Sequence, residues 1–215
     1  MELNGQVFNF LGDSITEGVG TTGDGRRYFA LLKEAYGLKE VNGYGISGTR
    51  IARQSVPSEN TRFDIYFASR VDDMKDADGI VVFGGTNDYG HGDAPIGTFS
   101  DRTPDTFYGA CHDLYTKLIA KYPGKPIVIL TPLHRLEEHV IKVKCDRKVT
   151  LKTYVDIIRE VAEYYALPVC DLYKSSGLQP AVPVIAEKFI PDGLHPNDAG
   201  HAIIAERLGN FLVNL

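Results

Sequence analysis

Short apolar runs alternate along this chain with longer stripes of helical spacing, and no other feature constrains the fold as much. Val7 to Leu11, Ile80 to Phe83 and Ile127 to Leu130 are β-branched or apolar runs bounded by Gly, Pro and Thr, which predicts buried strands. Glu40 to Asn42 and Pro168 to Cys170 are weaker strand signals. Between them lie four apolar stripes, carried by Tyr28 to Tyr36, Phe107 to Tyr122, Leu151 to Tyr165 and Ala199 to Leu212. Gly37 closes the first, and Thr103-Pro104 supplies a cap and first turn for the second. A fifth helix is expected from Arg62 to Met74. Strand and helix in alternation predict an α/β fold: five parallel strands joined by right-handed crossovers, with helices on both faces. Ligands bind such sheets at the C-terminal edge of the strands. Four stretches read as irregular: Thr49 to Asn60, Asp88 to Arg102, Leu133 to Lys148 and Lys174 to Ile190. The second and third follow strands directly and are expected to overhang that edge. With no internal repeat or linker, residues 1–215 read as one domain.

Just past the first strand the chain reads LGDSITEGVGTTG. Gly18 to Gly23 spells G-x-G-x-x-G, and Gly43 to Gly48 spells it again. A dinucleotide loop needs its glycines in the turn itself, directly after the strand and opening a helix. Here the polar Asp-Ser-Ile-Thr-Glu stands between Leu11 and Gly18, and the second copy leads into no clear helix. Glu40 lies where a ribose-binding acid would fall, so nucleotide binding stays as an alternative of a different class. No G-x-x-x-x-G-K-[ST] is present.

A nucleophile fits the same loop. Ser14 follows a Gly-Asp turn at the strand edge, although serine is also a favoured helix cap. A serine nucleophile needs a base, a carboxylate to orient that base, and donors for an oxyanion. Asp192 and His195 stand three residues apart in a Pro- and Gly-rich loop, close enough to pair. Asn87 follows Gly84-Gly85 after the third strand and carries an amide donor, in a stretch that also suits a plain turn. Gly48 offers a backbone N–H in another such loop.

Gly-Asp-Ser-Ile-Thr at 12–16, Ile-Ser-Gly-Thr at 46–49, Gly-Gly-Thr-Asn-Asp at 84–88 and Asp-Gly-Leu-His-Pro at 192–196 follow one another in the order of a known family. The chain resembles the SGNH hydrolases, the GDSL-type esterases and lipases, over nearly its whole length. Ile15, where the family nickname has Leu, conserves volume. The resemblance implies a three-layer α/β/α sandwich with a flavodoxin-like five-stranded parallel sheet. It implies Ser14 as nucleophile, His195 as base and Asp192 as its partner. It also implies an oxyanion hole from the Ser14 and Gly48 backbone N–H groups and the Asn87 side chain.

The expected activity is therefore metal- and cofactor-free ester hydrolysis by acyl transfer through Ser14. The expected substrate is a small-molecule or carbohydrate ester, with short acyl groups such as acetyl on a polar alcohol. The absence of a long apolar lid, with Tyr89 and Arg135 expected near the site, favours that class over a lipid, lysophospholipid or thioester. A non-catalytic binding module is the other alternative. His91 is expected to line the site, and His112 and His201 to sit in helices. His134, His139, Cys145 and Asp146 share a loop without a tight zinc spacing. A net charge of −5, from 23 basic and 28 acidic residues, argues against a nucleic-acid or anionic-membrane surface. Three cysteines without a C-x-x-C pair, no basic signal-like N-terminus and no apolar run of spanning length point to the cytoplasm.

Overall fold

The computed structural model describes residues 1–144 and 147–215, without the side chains of residues 144 and 147. In chain order its elements are β1 (Val7–Gly12), α1 (Ser14–Glu17), α2 (Tyr28–Tyr36), β2 (Glu40–Gly45), β3 (Gly79–Phe83), α3 (Thr86–Gly90), α4 (Phe107–Lys121), β4 (Ile127–Leu130), β5 (Lys142–Lys144), β6 (Arg147–Val149), α5 (Leu151–Tyr164), β7 (Val169–Cys170), α6 (Leu172–Ser175), α7 (Pro183–Phe189) and α8 (Asp198–Val213). Strands β2-β1-β3-β4-β7 form one five-stranded sheet in that order, and all four pairings are parallel.

Both faces of this sheet are buried, which is why its central strands read as unbroken apolar runs. Along β3, Ile80 and Val82 face one core while Val81 and Phe83 face the other. Along β4, Ile127 and Ile129 divide in the same way from Val128 and Leu130. Residues of α4 and α5 complete the first core; residues of α2 and α8 complete the second. The layers are thus α/β/α, and the apolar stripes of these four helices are the surfaces that close them.

Four local expectations need correction. Arg62 to Met74 is not one helix but two short 3₁₀ turns, Thr61–Asp64 and Phe67–Arg70. The break is at Ile65 and Tyr66, whose ψ angles of 81° and 160° take the backbone out of the helical region. The cap of α4 is Thr106 rather than Thr103, its hydroxyl accepting from Gly109 N–H. The stretch from 133 to 148 contains a strand pairing, β5 with β6 antiparallel, and the stretch from 174 to 190 contains α7, with Pro183 in its first turn. Among the described residues, no helix is long and apolar enough to cross a membrane.

Candidate active site

The strand order reverses between β1 and β3, so a crevice opens where these two strands end. Ser14 follows β1 and Asn87 follows β3, one on each side of it. The turn at Ser14 is shaped by Asp13, whose carboxylate accepts from Ile15 N–H at 3.0 Å and caps α1. Ser14 is therefore the first helical residue rather than the cap, and its Oγ faces the pocket.

Residues Asp192 to His195 reach the same crevice from the far end of the chain. His195 Nε2 lies 3.0 Å from Ser14 Oγ, and His195 Nδ1 lies 2.7 Å from Asp192 Oδ2. The other carboxylate oxygen, Asp192 Oδ1, accepts from Leu194 N–H at 2.9 Å and His195 N–H at 2.7 Å. Burial alone would raise the Asp192 carboxyl. The hydrogen bonds from the His195 backbone and ring and from Leu194 outweigh it and hold Asp192 below the usual carboxylate range. The loop is fixed at both ends: Leu136 N–H donates to Gly193 O at 2.8 Å, and the Asn197 side chain accepts from Ala199 and Gly200 N–H at the start of α8. An ionised Asp192 at Nδ1 fixes the neutral ring as the Nδ1–H tautomer and leaves Nε2 free to accept from Ser14.

Gly48, Asn87, Ser14 and His195 line one open pocket of about 410 Å³. One amide hydrogen of Asn87 goes to Thr49 O at 3.0 Å, which leaves the other for a ligand. Among the described residues, neither Ser14 N–H nor Gly48 N–H finds an acceptor. Gly48 has φ of +77°, and a Cβ there would lie 2.4 Å from the Phe63 ring, so only glycine brings this N–H to the pocket. Gly84 makes room for Phe67, whose ring would lie 2.5 Å from an added Cβ.

A polar network beneath the pocket holds the Gly48 loop. The buried Arg70 guanidinium donates to Gly12 O at 3.0 Å, Tyr44 O at 2.6 Å and Thr49 Oγ1 at 3.2 Å. Asp88 accepts from Ile51 N–H at 3.0 Å and Ala52 N–H at 2.9 Å. Glu17 accepts from Ser47 N–H at 2.7 Å and pairs with Arg62. Burial pushes Asp13 up to about 7 and Asp88 up to about 6, and brings Arg70 down to about 10. Arg70, Thr49, Glu17 and the role of Asp88 escape sequence reasoning, because their partners lie far along the chain; a buried Arg has no sequence signature of its own.

His91 and Arg135 line the pocket as expected. Tyr89 does not: its ring is buried behind the site, and its hydroxyl donates to Glu137 O and Val140 O. His112 is buried in α4 beside Tyr165 OH, and His201 is buried in α8, accepting from Tyr28 N–H at 3.1 Å. His134 pairs with Glu138 at 2.8 Å. Among the described residues, no three His, Cys, Asp or Glu side chains are grouped to hold a metal; Cys145 and Asp146 lie outside them. The first glycine loop folds onto the His195 segment, with Thr22 N–H and Oγ bonded to Asp198 at 2.9 and 2.6 Å.

The profile of the GDSL-like lipase/acylhydrolase family matches residues 10–203. Among solved structures, a protein from Lactobacillus plantarum is 32% identical, with 98% of each chain covered and a TM-score of 0.83. A possible lipase from Chitinophaga pinensis is 23% identical over 97% of this chain and 98% of its own, with a TM-score of 0.70. An acetyl xylan esterase is 24% identical over 95% of this chain and 98% of its own, with a TM-score of 0.63. The last two share the fold. No curated protein matches the chain.

Proposed function

The chain belongs to the GDSL-like lipase/acylhydrolase family, whose members are ester-hydrolysing enzymes, and from that premise we propose that it is a serine esterase acting through Ser14. The observation that carries this reading is the relay of Ser14 Oγ, His195 and Asp192 at 3.0 and 2.7 Å, assembled from residues 181 positions apart. Ser14 attacks an ester carbonyl while His195 Nε2 takes its proton. Asp192 stabilises the imidazolium that results. The oxyanion is held by the backbone N–H groups of Ser14 and Gly48 and by the Asn87 amide. His195 then protonates the leaving alcohol, and water repeats the sequence on the acyl-enzyme.

The substrate we propose is a short acyl ester, such as an acetate, of a polar or carbohydrate alcohol. The open pocket, lined in part by Ser47, Asn87, His91 and Arg135, supports it over a long-chain lipid ester. The acetyl xylan esterase of the same fold lends the carbohydrate ester as a candidate. A fluorophosphonate should label wild-type protein at Ser14 and leave Ser14→Ala unlabelled. Turnover should be faster on 4-nitrophenyl acetate than on the octanoate. Absence of labelling with intact folding would remove Ser14 as nucleophile; an octanoate preference would remove the short-acyl reading.

A further inference from the structure

Arg135 brings a guanidinium to the pocket wall, and the hydrolytic reaction does not use it. Its guanidinium lies beside α3, where Nη1 donates to Thr86 O at 3.3 Å and Thr86 Oγ1 at 3.2 Å. Both acceptors are neutral and both contacts sit at the long end of the hydrogen-bond range. Nε is buried without a partner. Nη2 finds no protein acceptor among the described residues, so the guanidinium keeps donors in hand at the pocket. Gly90 leaves it room: a Cβ there would stand 3.0 Å from Nη1.

Lys142 brings a second positive charge to the same wall. Lys142 Nζ lies 4.7 Å from the centre of the Tyr89 ring and donates to Gly90 O, while Arg135 Cζ lies 5.8 Å from the same ring. Burial lowers both cations from their ordinary range; the Arg135 charge lowers Lys142 further, while Glu137 pulls both back up. Among the described residues no carboxylate forms an ion pair with Arg135, and Glu137, Asp13 and Asp192 favour its charge only at longer range. Asp192 is bonded to His195, and Glu17 to Ser47 and Arg62. Glu138 is bonded to His134 and Gln179, and Glu137 is exposed to solvent. A half-buried cation with unspent donors is costly unless something completes it. Its planar fork suits a carboxylate, which it can bind with two parallel hydrogen bonds.

We propose that Arg135 binds a carboxylate carried by the substrate, so that the natural ester is anionic. This rests on the esterase reading above and narrows its substrate class. The carboxylate can sit on the acyl side or on the alcohol side of the ester, and two substrate pairs separate these. Monomethyl glutarate against methyl glutaramate tests the acyl side; 4-acetoxybenzoate against 4-acetoxybenzamide tests the alcohol side. In each pair only the charge changes. The expected result is a charged-over-neutral ratio of kcat/KM of roughly ten- to hundred-fold in one pair, carried by KM. In Arg135→Met that ratio should collapse toward one; in Arg135→Lys, which keeps the charge but not the fork, part of it should survive. Ratios at or below one in both pairs for wild-type enzyme would overturn the proposal, whatever the variants do, as would an unchanged ratio in Arg135→Met. If 4-nitrophenyl acetate is hydrolysed by a Ser14-dependent route while no charge preference is seen, the esterase reading stands and the Arg135 proposal falls. If no ester is turned over, the esterase reading falls. Calorimetry with glutarate and 4-hydroxybenzoate then decides Arg135: binding that Arg135→Met weakens at least tenfold supports it, and no binding overturns it.

Discussion

Asp13 is the group whose replacement tests the polar network most sharply, and the expected effect has an unusual sign. The residue is 2% exposed, and its carboxylate accepts from Ile15 N–H. Burial, with the like charge of Asp88 added, lifts its carboxyl from the ordinary 3.8 to about 7, against the opposing pull of Ile15 N–H and Arg70. Below pH 4 the folded and unfolded chains both carry this proton, and the site costs nothing. Between about 4 and 7 the unfolded chain releases it and the folded chain keeps it, so this site alone makes stability fall as pH rises. Above 7 the full cost is present. At about 1.4 kcal/mol per pH unit, the gap from 3.8 to about 7 sets a ceiling of about 4 kcal/mol.

Asp13→Asn keeps the shape and the oxygen that accepts from Ile15, and asparagine caps a helix as well as aspartate. The variant should therefore gain on wild type as pH rises, by roughly 2–4 kcal/mol between pH 4 and pH 8. Relief of Asp88, which shares the site, acts in the same direction. Groups that titrate elsewhere are common to both proteins and cancel in the difference. Urea unfolding of the pair at pH 4.5, 6 and 8, with matched m-values, measures it. A difference that does not change with pH, or that favours wild type more at pH 8, would show instead that Asp13 is ionised in the folded state and stabilised by Arg70.

Three further outcomes are expected. Asn87→Ala should lower kcat by about 10²–10³ with the fold intact, and an unchanged kcat would take Asn87 out of the oxyanion hole. Asp192→Asn should cost on the order of 10³–10⁴ in kcat, because an amide at Oδ2 no longer selects the Nδ1–H tautomer; a loss under tenfold would show that the two backbone N–H bonds alone orient the loop. Burial holds His201 down to about 4 from 6.5, so the folded chain resists a proton that the unfolded chain accepts. Stability should fall by up to about 3 kcal/mol as pH drops from 6.5 to 4, and His201→Phe should flatten that limb; an unchanged slope would locate it elsewhere.

The strands and the four sequence blocks of the candidate site were legible because their signals are local. Ile80 to Phe83 and Ile127 to Leu130 lie in a sheet covered on both faces, so burial imposes a continuous apolar run that needs no knowledge of partners. Arg62 to Met74 misleads for the opposite reason. Its apolar spacing suits a helix, but Tyr66 is extended, and the second 3₁₀ turn ends on Arg70, whose guanidinium enters the sheet edge at Gly12 O and Tyr44 O. Tertiary hydrogen bonds decide that segment, and sequence spacing carries no record of them. The Ser14–His195 contact is equally remote; it was legible because a serine nucleophile needs a base and an orienting carboxylate, and the resemblance of four blocks to a family strengthened that pairing.

The buried charges make sense once the loop after β2 is considered as backbone. Residues 46–52 belong to neither a helix nor a strand, yet Thr49, Ile51 and Ala52 are buried, so their peptide groups have lost water and need partners. Donors and acceptors are matched by charge type. Asp88, an acceptor, takes the N–H groups of Ile51 and Ala52; Asn87 and Arg70, donors, take Thr49 O and Thr49 Oγ1. Arg70 also takes the carbonyls at the ends of β1 and β2, directly before Ser14 and the Gly48 loop. An apolar side chain in place of either ion would strand those peptide groups at about 1–3 kcal/mol each. The same bonds fix Gly48 and Asn87 relative to Ser14. A rigid loop outside regular structure is the condition for aiming a backbone N–H at a fixed point, and here Asp88 and Arg70 meet it through hydrogen bonds to that loop's own groups and to the strand ends beside it.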